Sequence, residues 1–341
     1  MRRVDQHEKS VRRGIILKNV MRKVTDNPTV PVRRIYDNAM DEDSGPSDEL
    51  PAYGSIRTRA KRHRAKFIPP IPPDIDAVVI DGEWARTWKG QQFLSHLDNY
   101  WGIAVFTTNR FLRAMKDADT LFIDGTFRTA PGPYLQFVTV HGLCLGHVIP
   151  LAFCLMTGKT IGQYRQILQH LKQEVRRVTH RALRPTRVVS DFERSLMTAL
   201  ETELPRSRLA GCYYHFSQSL WRHLQQLGLS GHYRRERRLQ RVVRKVTALG
   251  FLPVLLVRQN FFLLRGSRRT DRLIRRHQGM EEWLDYVEGT YINNNAIFPP
   301  PVWNVYGREM NTRTNNHLEG IKLEHELVIF HTLLPVGRSC W

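Results

Sequence analysis

Apolar residues gather into short runs between residues 73 and 228, and the period of the pattern changes along them. TLFIDGTF (120–127), YLQFVTVHGL (134–143) and HVIPLAFCLMT (147–157) are rich in Val, Ile and Phe and are split by Gly turns, which predicts three sequential strands. TIGQYRQILQHLKQEVRRV (160–178) then switches to helical spacing, with Ile161, Tyr164, Ile167, Leu168 and Leu171 on one face. TRVVS (186–190) predicts a fourth strand, DFERSLMTALETEL (191–204) a helix, and LAGCYYHF (209–216) a fifth strand; SQSLWRHLQQLGL opens another helix. Upstream, DAVVI (76–80) suggests a strand, and QQFLSHLDNYWGIAVFTTNRFLRAM mixes both signals.

Three consecutive strands followed by alternating helices and strands describe an α/β fold with a mixed sheet and helices on both faces. The layout resembles that of RNase H-like domains, with a mixed five-stranded sheet flanked by helices. Residues 73–228 are the first part of this core. Residues 229–300 interrupt it as a basic all-helical insertion, and 301–330 return to it with IFPPPVW (297–303) leading to a last helix, TRTNNHLEGIKLEHEL (312–327). Residues 331–341 form an irregular tail. Residues 1–72 read as a basic, flexible, poorly packed arm that closes on the Pro-rich FIPPIPPDID.

Charge changes the picture more than composition does. With 41% hydrophobic residues the chain can build a core, but its formal net charge is +20 and its pI about 10.3. Such a chain attracts polyanions, nucleic acid first among them. Residues 229–278 hold fourteen Lys or Arg against two acids, more than half of the excess. Arg234, Arg235, Arg237, Arg238, Arg241, Arg244 and Lys245 are its densest group and are the expected DNA contacts, made to the phosphate backbone. A solvated helical face is the alternative. RTRAKRHRAK (57–66) reads equally as a nuclear import signal, a phosphate-contacting arm or a solvated cluster. The four cysteines are too widely spaced for a disulfide framework. No apolar stretch has the length of a membrane span. The N-terminus has no apolar signal region, and a nuclear location is expected.

Three acids occupy the positions that two-metal phosphodiester chemistry needs on such a sheet. Mg²⁺ or Mn²⁺ is held by few carboxylates and keeps several waters, so two or three acids converging from different elements suffice. Asp124 lies inside the apolar first strand, with Gly125 expected to leave room at the metal. Asp191 ends the fourth strand, where sites of α/β sheets gather. Glu319 lies in the last helix. Singly, each has an ordinary structural reading: a turn residue, a helix cap and a surface acid.

FIDGTFRTAP, QFVTVHG, VIPLAFCLMTGKT, VVSDFERSLMTAL, GCYYHFSQSLWRHLQQLGL, FPPPVWNVY and RTNNHLEG follow one another in this order. Together they resemble the transposase domain of Mutator-like elements, the MULE domain, over roughly residues 75–320. The resemblance implies a DDE transposase with Asp124, Asp191 and Glu319 as its metal-binding catalytic triad. It also implies cleavage at terminal inverted repeats, strand transfer to target DNA, and a homo-oligomer when active. It makes the C-x-x-H of Cys212 and His215 a family feature. These two are soft ligands for Zn²⁺ if further ligands join, His223 being one option; buried packing is the alternative. His141 and His147 read as strand and turn residues. The sequence departs from the family at both ends: residues 1–75 contain no cysteine, hence no zinc finger, and GIKLEHELVIFHTLLPVGRSCW replaces the usual polar helix. A truncated or inactive copy, or a domesticated non-catalytic DNA-binding or regulatory protein derived from a transposase, is the alternative.

Overall fold

In a computed structural model the described residues are 2–308, apart from 27–29, 31, 43–50, 65, 67–70, 88 and 127–129. Seven strands form one mixed sheet: β1 (Leu94–Asp98), β2 (Ile103–Phe106), β3 (Thr120–Thr126), β4 (Gln136–Cys144), β5 (His147–Met156), β6 (Arg187–Ser190) and β7 (Arg208–Gly211), in the order β1-β2-β5-β4-β3-β6-β7. Pairing is antiparallel from β1 across to β3, and parallel from β3 through β6 to β7. The expected five strands are therefore seven. The two additional ones come from residues 94–106, where the patterns overlapped. Ile103–Phe106 is buried on both faces, so it shows no alternation to read.

One face of the sheet is covered by α4 (Asn109–Asp117), α5 (Ile161–Thr179) and α6 (Arg194–Glu203). Ile123, Val138, Cys154 and Val188 from the strands meet Leu112, Ile167, Leu171 and Leu196 from the helices there. A Thr160–Gln163 capping box starts α5, and His180 in the left-handed region ends it. The other face is covered in two halves. Val78 and Ile80 lie on Phe93, Phe106, Phe137 and Phe153 at one half. This is the DAVVI segment, and it is not a strand: the Asn99 side chain donates to the carbonyls of Asp76 and Val78 at 3.4 and 3.1 Å, in place of a strand ladder. Phe122, Val189, Ala210 and Cys212 form the other half, under α7 (Tyr213–Gln226).

The fifth predicted strand is shorter than expected. It ends at Gly211, and Cys212 is already the N-cap of α7, because Phe216, Leu220 and Leu224 recur every four residues as a buried helical stripe. That stripe joins the core of the insertion, made of α8 (Ser230–Arg235), α9 (Arg237–Ala248), α10 (Val254–Arg265), α11 (Arg268–Arg276), α12 (Met280–Val287) and α13 (Pro300–Trp303). Phe216 stacks on Trp303 at 4.3 Å, and Trp283 Nε1 donates to Leu220 O at 3.0 Å. The helical insertion expected from composition is thus built around the helix that precedes it.

The segment read as an unpacked arm holds three helices, α1 (Arg2–Asp26), α2 (Val32–Asp41) and α3 (Tyr53–Arg64) in chain order ahead of the sheet. Ile16, Val20, Val24, Ile35, Ile56 and Ala60 pack together in a small core of their own. Ile16, Val20 and Val24 recur every fourth residue, enough for one buried stripe despite the surrounding charge. The last helix predicted at 312–327, with Glu319, lies outside the described residues.

Candidate active site

The parallel pairing of β3 with β6 sets Phe122 against Val189 and Ile123 against Ser190. One residue further along each chain stand Asp124 and Asp191. Neighbouring strands lie about 4.8 Å apart, and Asp191 stands one residue past the end of β6, so the ladder brings the two backbones together there without fixing the Asp191 side chain. Alternation puts Asp124 on the same face as Phe122, which is the face under α7; Asp191 lies one residue past the end of β6, where its charge acts on Tyr164 and is met by those of Lys159 and Glu193. Asp124 is 3% exposed. Asp191 is half-buried.

Asp191 does not cap α6. The N-cap is Glu193, which makes no capping bond with its side chain. Asp191 Oδ1 accepts from the Glu193 backbone N–H at 3.2 Å, a turn two residues long. Burial pushes the Asp191 carboxyl up from 3.8 to about 6; that backbone hydrogen bond and the Lys159 charge oppose the rise, and the Glu193 charge adds to it. A carboxylate that is costly to ionise without a partner gains from a cation beside it.

His215 lies in the first turn of α7, with Nε2 3.8 Å from Asp124 Oδ1. Burial, and secondarily the Arg222 charge, push its imidazole down to about 4. It faces Asp124 as a neutral ring, and its buried Nδ1 has no hydrogen-bond partner. Cys212 is fully buried among Phe122, Val189 and Ala210. His223 cannot join these two around one ion: eight residues of helix separate it from His215 by about 12 Å, and its ring stacks on Tyr286 at 3.9 Å. His141 is buried in β4 opposite Phe122, and His147 is exposed at the start of β5. Among the described residues no three His, Cys, Asp or Glu side chains are grouped to hold a metal ion. The third expected acid, Glu319, lies outside them.

Gly125 serves a different purpose from the one expected. A Cβ there would meet Gln136 Nε2 at 2.4 Å, on the face of the sheet opposite Asp124. The space belongs to the Gln136 amide, which donates to the Tyr164 hydroxyl at 2.7 Å. Tyr164 lies close enough to Glu193 for each to shift the other's ionisation. Glu193 Oε1 is buried without a partner, and burial raises the Glu193 carboxyl. Sequence reasoning named none of Gln136, Lys159 or Glu193, and read Tyr164 only as part of an apolar helix face. Only Glu193 carried a signal, as the last residue of S-D-F-E.

After the insertion the chain comes back to the sheet. Val305 N–H donates to Gly250 O at 2.8 Å. Arg308, 8% exposed, donates to Gly211 O at 2.7 Å and to Val302 O at 2.6 Å. Gly211 pairs with Ser190, the residue before Asp191. The described chain therefore ends beside the carboxyl ends of β6 and β7. The seven insertion cations from Arg234 to Lys245 are all exposed, on α8 and α9. No described helix is long and apolar enough to cross a membrane.

Residues 120–219 match the MULE transposase domain. The match runs from the first residue of β3 to the middle of α7, and so contains Asp124, Asp191, Cys212 and His215. It lies within the 75–320 over which the sequence motifs showed the same resemblance. No curated protein matches the chain.

Proposed function

We propose that the MULE transposase domain of residues 120–219 is the first part of an RNase H-like catalytic core that cuts and joins DNA with Asp124, Asp191 and Glu319 as its carboxylates. The observation that supports this reading is the register: β3 and β6 pair in parallel, and Asp124 and Asp191, 67 residues apart in sequence, each follow the last paired residues, Ile123 and Ser190. Asp124 is a carboxylate buried in an apolar strand, with His215 Nε2 3.8 Å from its Oδ1. The strand order β5-β4-β3-β6-β7 supports the RNase H-like assignment, with β1 and β2 added at the β5 edge. Arg308 supports Glu319 as third acid, because it anchors the chain next to β6 eleven residues earlier.

The donor set is all oxygen, which suits Mg²⁺ or Mn²⁺. When bound, such ions polarise the scissile phosphate and activate water or a 3′-hydroxyl as nucleophile. Asp124 and Asp191 would hold them from the sheet. His215, neutral, would stand beside that carboxylate, its Nε2 3.8 Å from Asp124 Oδ1. The exposed cations of α8 and α9 would bind the DNA backbone. The basic run at 57–66 would serve nuclear entry.

The test is nicking of DNA carrying the element's terminal repeat, with Mg²⁺ or Mn²⁺ and with Ca²⁺ as the poor substitute. Asp124→Asn, Asp191→Asn and Glu319→Gln are each expected to abolish nicking while DNA affinity holds or rises, since each removes a charge that repels phosphate. Wild-type nicking by Glu319→Gln would exclude Glu319 as third ligand, and by either Asp variant would exclude the site.

A further inference from the structure

Within the insertion, α9, α10 and α11 enclose a groove of about 1030 Å³ that the proposed chemistry does not use. Arg238, Arg241 and Lys245 form one wall; their spacings of three and four put them on one face of α9. Arg268, Arg269, Arg272 and Arg276 line it from α11. Between these cations the lining is apolar: Leu252, Leu263 and Leu264. Leu263 is 65% exposed, an apolar side chain open to solvent inside a basic groove.

The charges in this groove are nearly uncompensated. Its single acid is Glu236, already held by His277 at 2.7 Å and approached by Arg276 at 3.7 Å. Among the described residues, none of the other six cations has a carboxylate within ion-pair distance. Like charges held together without counter-charges repel and lower stability. The arrangement fits a polyanion that brings the missing charge.

The apolar floor decides which polyanion. A duplex shows a protein its phosphates and the polar edges of its base pairs, and gives a leucine floor nothing to bury. An unpaired strand carries phosphates along one side and exposed base faces on the other, and such bases gain from apolar contact. The groove also has the size of a pocket for a small ligand, too small to admit a whole duplex. We propose that the groove between α9 and α11 binds a short unpaired stretch of DNA strand, phosphates on the basic walls and bases on Leu252, Leu263 and Leu264. The inference rests on the reading of the chain as a protein that acts on DNA, and adds the strand state and the place where it binds.

The experiment is fluorescence anisotropy on the full chain, with an oligothymidylate of about 12 nucleotides and a duplex of the same length. Wild type should bind the single strand about tenfold tighter or more. Arg268→Gln/Arg269→Gln/Arg272→Gln should cost the single strand about tenfold and lower its log–log salt slope by about two, at roughly 0.7 per phosphate contact. Duplex binding, expected on the α8 and α9 cations that these variants leave intact, should change by less than about threefold. Leu263→Glu should weaken the single strand with all seven cations intact. These side chains are solvent-exposed, so the variants should fold, as circular dichroism will show. Equal losses for strand and duplex would overturn the proposal, as would unchanged strand binding, or polyglutamate competing as well as oligothymidylate. Asp124→Asn should keep strand binding. Failure of the catalytic reading therefore shows as inert wild-type nicking with strand binding retained, separate from failure of the groove.

Discussion

Asp191→Asn should make the protein more stable at neutral pH. Burial raises the Asp191 carboxyl from 3.8 to about 6. Between these values the folded state binds more protons than the unfolded one, so stability falls as pH rises, and the whole penalty is present above pH ~6. The full difference corresponds to about 3 kcal/mol. Asp191 is half-buried, so solvent screening reduces the expected gain to roughly 1–2 kcal/mol. Asparagine has the shape of the neutral acid, and its Oδ1 can still accept from the Glu193 N–H. Urea denaturation at about pH 4 and 7.5 measures it: variant and wild type should differ little at the lower pH and by the full amount at the higher. Mg²⁺ should then raise the melting temperature of wild type more than that of the variant. A variant no more stable than wild type at pH ~7.5, or equally stabilised at both pH values, would refute the reasoning.

Two further perturbations address the groups around the acids. His215 is held down to about 4 by burial, so it contributes stability that is lost as pH falls from about 6.5 through 4. His215→Asn should remove that loss, in urea denaturation across this range; an unchanged acid limb would rule the buried neutral ring out. Gly125→Ala should cost about 1–3 kcal/mol, because its Cβ displaces the Gln136 amide from Tyr164. An unaltered melting temperature in that variant would show that the amide moves freely.

The sequence revealed most where burial is one-sided or turns are marked. β4 and β5 were legible to within two residues because Leu145 and Gly146, both with positive φ, separate two Val- and Phe-rich runs. CYYHF misled, since a short apolar run does not distinguish strand from helix; the deciding period, Phe216-Leu220-Leu224, becomes visible only beyond it. In α1 the charge hid a stripe of three apolar residues. Asp124 inside β3 and Asp191 just past β6 could be placed because short apolar strands bounded by turn residues are recognisable. The approach of His215 could not, because it depends on α7 crossing the face that carries Asp124. Gly125 was misassigned because a glycine states only that a Cβ is missing, and not which face needs the room.

Three consecutive residues connect the acids to both neighbouring layers. Asp191 accepts the Glu193 backbone N–H at its Oδ1. Phe192 extends the other way, edge-on to Tyr291 at 5.8 Å and to Phe298 at 5.0 Å, in the aromatic core of the insertion. Gly211 is what admits it: a Cβ there would meet the Phe192 ring at 2.4 Å. Glu193 reaches the opposite layer, close enough to Tyr164 of α5 for each to shift the other's ionisation. α7 repeats the connection, with His215 at Asp124 and Phe216 stacked on Trp303. An acid at the end of a strand is free to follow its loop. Here the loop after β6 is fixed by an aromatic ring on one side and lies near a hydroxyl on the other. The insertion that carries the exposed cations of α8 and α9 is therefore also part of what fixes the loop that bears Asp191.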